Sequence, residues 1–143
     1  MHTDRSPCGS DYIGCLPIHT LLILLIELEW QKGGIMAFDS DYDKSGPKRE
    51  EIDRLPGPVL LEFGTAWCGY CQAIQQPLKA LLASFPQVHH IKVEDGKGRP
   101  LGRSFGVKLW PNFVFLRDGQ IILQLARPQP GEIRQGLEAI TRS

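Results

Sequence analysis

Two cysteines, Cys68 and Cys71, are the residues whose type and spacing most directly indicate chemistry in this sequence. Because only Gly69 and Tyr70 separate them, one helical turn can bring the two sulfurs within disulfide-bonding distance. The pair therefore indicates thiol–disulfide exchange. The same spacing is also half of a zinc site, and two buried cysteines can occur at this spacing by chance. The neighbouring sequence must distinguish these interpretations.

The segments on either side of the cysteines predict a strand followed by a helix. Val59 to Phe63 is an almost continuous apolar run, which is typical of a strand buried on both faces of a sheet. Apolar residues then recur at helical spacing and predict a helix from about Cys71 to Phe85, kinked at Pro77. A helix that opens at the dithiol leaves backbone N–H groups free around the first sulfur. We therefore expect Cys68 to be the nucleophile.

Three further strands and a closing helix are predicted downstream. Val88 to Val93 and Asn112 to Leu116 have strand character, and Ile121 to Leu125 follows the turn sequence Asp118-Gly119. The apolar spacing from Ile133 to Ile140 predicts the closing helix. This order of elements predicts an α/β architecture, with a mixed sheet flanked by helices on both faces.

Three separated motifs make the chain similar to the thioredoxin family. They are the segment from Glu62 to Cys71, EFGTAWCGYC, the segment from Gly106 to Asn112, GVKLWPN, and the hairpin pair Asp118-Gly119. The motifs agree with that family in order and spacing over roughly Pro47 to Ser143. The resemblance implies a thioredoxin-like domain with a central mixed sheet.

The resemblance also implies roles for the residues around the dithiol. Pro111 is expected to form a cis peptide bond and to lie against the dithiol, while Trp110 offers its backbone to the substrate chain. Trp67 is expected to shape the recognition surface, although a tryptophan here could simply pack over the dithiol. Gly69 and Tyr70 would contact substrate and tune the redox potential. Relatives commonly have glycine-proline between the cysteines and a smaller residue at the position of Trp110.

Glu62 is the only acidic residue in the apolar strand before the dithiol. An unpaired buried charge is unfavourable, so a carboxylate in such a strand indicates function. Relatives usually have an aspartate here, and the resemblance implies that Glu62 accepts the proton of Cys71, directly or through one water. The alternative is an idle carboxylate exposed at a sheet edge.

A zinc site would need two further ligands beside Cys68 and Cys71. His89 and His90 are the only concentrated source, and adjacent strand residues point to opposite faces of a sheet. We therefore expect no metal site and interpret both histidines as ordinary strand residues.

The resemblance implies a protein-disulfide reductase that works without a metal or organic cofactor and receives its electrons from a reductase. Two alternatives remain open. One is an oxidase or isomerase in an oxidising compartment, which Tyr70 favours weakly, and the other is a binding module with a dormant dithiol. Because proline is absent between the cysteines, we expect a redox potential between the roughly −270 mV of thioredoxin and the roughly −120 mV of a strong oxidant.

Composition is consistent with a single domain. The chain has 143 residues, 16 of them basic and 16 acidic, and a formal net charge of zero. Charges without strong clustering do not predict binding to nucleic acid or to an anionic membrane. We expect a cytoplasmic monomer that acts on protein thiols and disulfides.

The first 35 residues differ from the rest of the chain. The aliphatic run from Leu21 to Ile26 is far shorter than the roughly 20 residues of a membrane helix. The charges before this run do not match those of a signal peptide. We therefore interpret residues 1–35 as an N-terminal extension, residues 36–46 as a linker or short first strand, and residues 47–143 as the domain.

The extension raises a hypothesis about the start of the native protein. The sequence Lys32-Gly33-Gly34 can be encoded by a purine run that resembles a bacterial ribosome-binding site, shortly before Met36. The native chain would then begin at Met36. Cys8 and Cys15 belong to the extension, where no neighbouring residues indicate a second redox pair or a zinc site.

Overall fold

The strand that carries Glu62 lies in the interior of a four-stranded sheet. The computed structural model describes residues 38–142. The expectations for residues 1–35, including the start at Met36 and the roles of Cys8 and Cys15, lie outside the described residues. In chain order, the elements are α1 (Arg49–Ile52), β1 (Pro58–Gly64), α2 (Gly69–Ala83), β2 (His89–Glu94), α3 (Pro100–Ser104), β3 (Asn112–Arg117), β4 (Gln120–Ala126) and α4 (Pro130–Thr141).

The sheet combines parallel and antiparallel pairs in the order β2-β1-β3-β4. β1 pairs with β2 in parallel and with β3 antiparallel, and β3 pairs antiparallel with β4. The parallel pair requires a crossover, which α2 supplies. Before α1, Asp43 forms a single parallel bridge to Val93 of the edge strand β2. The predicted mixed sheet is therefore confirmed.

Different helices cover the two faces of the sheet. On one face, Leu60 of β1 packs in a core with the apolar residues of α2 and α4. On the other face, Leu61 and Phe63 pack in a second core with Ile52 of α1 and Leu101 of α3. Successive residues of β1 enter opposite cores, which explains why the sequence of this strand is almost continuously apolar. Helices flank both faces, as predicted.

The differences from the predicted elements concern short helices and helix ends. The sequence pattern does not predict α1 or α3, because four or five residues are too few to show helical periodicity. α2 begins at Gly69 and ends at Ala83, two residues earlier at each end than the pattern indicates. The predicted hairpin is confirmed, since Asp118 and Gly119 join β3 to β4 with φ angles of 49° and 76°.

Gly136 sets the distance between α4 and the sheet. A Cβ atom at this position would lie 2.5 Å from carbon atoms of the Phe115 ring in β3. Phe115 is fully buried, so its ring has no free space into which to move. The contact therefore requires a residue without a side chain.

We expect Gly136→Ala to lower the free energy of unfolding by about 1–3 kcal/mol, because the added methyl group overpacks the core. Gly131→Ala, in the same helix, is the matched control, since a Cβ atom there would have no neighbour within 4 Å. The control should be neutral or stabilising by up to about 1 kcal/mol, because alanine favours helix. Urea unfolding of both variants measures the difference, and equal effects would contradict the close contact.

Candidate active site

The two cysteines lie at the start of α2, directly after β1, as their flanking sequence predicts. Cys68 is the N-cap residue, and its Sγ atom accepts the backbone N–H of Cys71 at 3.3 Å. Both thiols are free of disulfide bonds. The side chains differ in accessibility, because Cys68 is 9% exposed and Cys71 is 1% exposed. Only the first sulfur lies where a large substrate can approach it.

Burial makes the Cys71 thiol a very weak acid. Loss of solvent raises its pKa most, and the hydrogen bond with Cys68 raises it further, to about 12. The Thr65 backbone and the nearby Tyr42 hydroxyl act in the opposite direction but do not compensate. Since the thiolate is the reactive form, Cys71 reacts rapidly at neutral pH only if another group takes its proton.

The carboxylate of Glu62 is fully buried beneath the dithiol and has three hydrogen-bond partners. Its Oε1 atom accepts the Tyr42 hydroxyl at 2.7 Å and the Gln75 amide at 2.8 Å, and its Oε2 atom lies 2.9 Å from His90 Nε2. Burial alone would raise the pKa of Glu62, but hydrogen bonds from His90, Tyr42 and Gln75 hold that pKa below its ordinary value. The alternative of an exposed carboxylate at a sheet edge is therefore wrong.

The hydrogen bonds of His90 determine which ring nitrogen carries the proton. Nδ1 accepts the backbone N–H of Asp39 at 3.0 Å, so the proton of the ring is on Nε2 and points at Glu62. Both histidines lie in the strand β2, where His89 is exposed, whereas His90 is buried and hydrogen-bonded to Glu62.

Lys92 fixes the orientation of Gln75 from the other side. Its Nζ atom donates to Gln75 Oε1 at 2.7 Å and to the Ser40 carbonyl at 3.0 Å. The amide nitrogen of Gln75 must then face Glu62. The ammonium group also lies 4.4 Å from the centre of the Tyr42 ring. A buried cation is therefore placed one side chain away from the buried carboxylate.

Sequence reasoning missed Tyr42, His90, Gln75 and Lys92. Tyr42 belongs to the segment interpreted as a linker or short strand, where it lies within the polar run from Asp39 to Ser45. His90 and Lys92 alternate on one face of β2, and Lys92 is the register partner of Glu62. The alternation of two ionisable residues in a strand was the available signal, but its meaning depends on the pairing of β1 with β2.

The peptide bond between Trp110 and Pro111 is cis, as the resemblance implies. Pro111 is buried, and the Trp110 ring lies edge-on to the Trp67 ring with 5.7 Å between their centres. The indole nitrogen of Trp110 donates to Asp95 Oδ2 at 2.8 Å. This loop is therefore held beside the residue that precedes Cys68.

An aromatic surface, formed by the exposed Trp67 and Tyr70 and the partly exposed Trp110, lies around the start of α2. Trp67 is 73% exposed and Tyr70 is 62% exposed. Arg127, which sequence reasoning also missed, joins the two sides of this surface. Its guanidinium carbon lies 4.2 Å from the centre of the Tyr70 ring, and its Nε atom donates to the Trp110 carbonyl at 2.9 Å.

Neither a metal centre nor a membrane helix is found in the part of the chain that the structure describes. Within residues 38–142, no three His, Cys, Asp or Glu side chains are grouped so that they could hold a metal ion. The helices of the same residues are too short or too polar to cross a bilayer.

Comparison with known proteins gives consistent matches. The family model described as Thioredoxin matches residues 44–139. The solved structure of thioredoxin 2 from Pseudomonas aeruginosa PAO1 in its reduced form is 50% identical, with 72% of this chain and 96% of that chain covered and a TM-score of 0.65. Thioredoxin Asp f 28 from Aspergillus fumigatus is 31% identical over 61% of this chain and 78% of its own length. Thioredoxin-2 from Pyricularia oryzae is 26% identical over 57% of this chain, and the match spans 47% of that protein.

We expect iodoacetamide to alkylate Cys68 well before Cys71 at pH 7. Because the pKa of Cys71 is raised to about 12, its alkylation rate should still rise about tenfold per pH unit between pH 8.5 and 10.5. An unperturbed thiol, with a pKa of about 8.5, would approach a plateau in that range. Peptide mapping by mass spectrometry gives both rates, and equal rates at pH 7 would contradict the asymmetry.

Proposed function

The chain belongs to the thioredoxin family and is a thiol–disulfide oxidoreductase, and we propose that Cys68 attacks the substrate disulfide and Cys71 resolves the intermediate. The observation that carries this assignment is the difference between the two sulfurs. Cys68 is at a helix N-terminus and is 9% exposed, whereas Cys71 is 1% exposed. The family reduces protein disulfides with such a cysteine pair and needs no cofactor.

In the first step, the Cys68 thiolate attacks one sulfur of the substrate disulfide. A mixed disulfide forms between Cys68 and the substrate, and the other substrate sulfur leaves as a thiolate. The N–H group of Cys71, which points at Cys68 Sγ, stabilises negative charge on that sulfur.

In the second step, Cys71 loses its proton and attacks Cys68. The bond between Cys68 and the substrate breaks, the substrate leaves as a thiol or thiolate, and the protein keeps the disulfide. Glu62 is the proton acceptor in this proposal, because it is buried, ionised and close to the strand end that precedes the dithiol. The side chains around Glu62 donate hydrogen bonds to its oxygens, and such surroundings favour the ionised carboxylate over the neutral acid.

The substrate is proposed to bind as an extended segment across the aromatic surface and the cis-proline loop. Gly69 is exposed, and a Cβ atom there would have no neighbour within 4 Å, so the space above the first sulfur is open. Trp67, Tyr70 and Trp110 offer apolar contacts on either side. Pro111 has no N–H to present at this position.

Electron supply and location are further parts of the proposal. The oxidised dithiol would be reduced again by a reductase, so that the protein carries electrons to its substrates and contributes to cell redox homeostasis. We propose a monomer that acts in the cytoplasm, where a reducing environment keeps such dithiols reduced. The matched relatives give no support to an oxidase or to a dormant binding module.

The protein should reduce insulin in the presence of dithiothreitol, which is detected as precipitation of the insulin B chain. Cys68→Ser should abolish this activity, because Cys71 is the less accessible sulfur of the pair. Cys71→Ser should accumulate stable mixed disulfides with protein substrates, visible on non-reducing gels. Mixed disulfides that accumulate in Cys68→Ser instead would reverse the assigned roles.

The redox potential should lie above the roughly −270 mV of thioredoxin and well below the roughly −120 mV of a strong oxidant. The reason is that Gly69-Tyr70 lacks a proline, which leaves the backbone donors around Cys68 less constrained. Equilibration with glutathione buffers of known ratio measures this potential. A value near the strong-oxidant limit would contradict the reductase direction.

A further inference from the structure

Tyr42 connects the second cysteine to the buried carboxylate. Its hydroxyl donates to Glu62 Oε1 at 2.7 Å, and its oxygen lies near the Cys71 sulfur. Gly64, at the end of β1, leaves the space in which these groups meet. A Cβ atom on Gly64 would lie 2.6 Å from Tyr42 Oη and 2.7 Å from Cys71 Sγ, so any side chain would push into both atoms.

Glu62 has no direct hydrogen bond to Cys71 among the described residues. Its three partners are Tyr42, Gln75 and His90. A proton that moves from Cys71 to Glu62 must therefore cross an intermediate group. A bridging water is the general solution, but the side chain of Tyr42 already lies between the two groups.

Only one of the three partners of Glu62 can both accept and donate a proton at this position. His90 has its Nδ1 atom engaged by the Asp39 backbone, so its Nε2 atom can only donate. Gln75 has its oxygen engaged by Lys92, so its amide nitrogen can only donate. A hydroxyl group is amphiprotic, and Tyr42 supplies it.

From this geometry we propose that Tyr42 relays the proton from Cys71 to Glu62 when the mixed disulfide is resolved. The Cys71 S–H bond breaks and its proton moves to Tyr42 Oη, while the Tyr42 O–H bond breaks and its proton moves to Glu62 Oε1. The new Cys71 thiolate attacks Cys68, and the electron pair of the broken bond leaves on the substrate sulfur. Tyr42 ends the step as a neutral phenol, and Glu62 holds the proton until Cys71 is reduced again.

The two proton transfers occur together rather than through a tyrosinate. Burial raises the pKa of Tyr42 well above its ordinary value, and the negative charge and hydrogen bond of Glu62 raise it further. A free tyrosinate next to an ionised Glu62 is therefore unfavourable. The ionisable groups that face this path are Glu62 from β1, His90 and Lys92 from β2, and Cys71 from α2. His90 and Lys92 position the acceptor and its partners but do not lie on the path.

The test follows a single turnover of reduced protein with a synthetic peptide disulfide, stopped by acid and analysed by mass spectrometry. We expect Tyr42→Phe to form the mixed disulfide at the wild-type rate and to resolve it at least about tenfold more slowly at pH 7. Resolution by wild type should change little between pH 6 and 8, because Glu62 stays ionised. Resolution by Tyr42→Phe should instead rise about tenfold per pH unit, since hydroxide must then remove the proton.

Two comparisons separate a relay from a structural role. The double variant Tyr42→Phe with Glu62→Gln should resolve no more slowly than the slower single variant, because both changes interrupt one path. Site-specific 3-fluorotyrosine at position 42 keeps the hydroxyl and should restore most of the rate, also if Tyr42→Phe folds poorly. The relay would be overturned if Tyr42→Phe resolved the mixed disulfide at the wild-type rate, or if it slowed formation and resolution equally. It would also be overturned if the double variant slowed resolution by the product of the two single effects, or if fluorotyrosine restored none of the rate.

The relay rests on the proposed roles of Cys71 and Glu62. The same experiment distinguishes a failure of the relay from a failure of the proposed function. If wild-type protein formed no mixed disulfide at Cys68, the proposed function itself would fail. If wild type resolved its mixed disulfide normally and Tyr42→Phe did so at the same rate and with the same pH dependence, only the relay would fail.

Discussion

The buried carboxylate of Glu62 is the constraint on which the rest of this site depends. A charge in an apolar interior is strongly unfavourable unless hydrogen bonds replace its water. The replacements come from three parts of the chain: Tyr42 precedes α1, Gln75 belongs to α2 and His90 belongs to β2. The backbone of Asp39 holds His90 in turn. One carboxylate thus joins an N-terminal segment, a helix and an edge strand around the second cysteine.

The two sulfurs of the dithiol have different surroundings, which suit them to different roles. Cys68 caps α2, where the backbone N–H of Cys71 points at its sulfur, and it is the more accessible of the two cysteines. Cys71 lies one turn further into the same helix, where burial raises its pKa to about 12. The first sulfur is therefore suited to attack, and the second is held in reserve until its proton is removed. A group that takes the proton of Cys71 must therefore be buried too, as the carboxylate of Glu62 is.

The fold was predicted from the periodicity of apolar residues, and the prediction missed the elements that are too short to show such a periodicity. β1 reads as continuously apolar because Leu60 and Leu61 enter different cores, and α2 shows helical spacing because one of its faces packs on the sheet. α1 and α3 are too short to carry such a pattern. The bridge between Asp43 and Val93 involves a single pair of residues, so no repeating pattern in the local sequence predicts it.

For the site, the sequence by itself indicated the groups that we propose to react: Cys68 and Cys71 by their spacing at a strand–helix junction, and Glu62 as a lone charge in an apolar strand. These are local patterns, and each has a local physical cause. Only the tertiary structure decided that Tyr42 and His90 reach the carboxylate. They are separated from Glu62 by 20 and 28 positions along the chain. Their contacts exist because the parallel pairing of β1 with β2, and the chain segment beside β2, bring distant residues onto one face of the sheet.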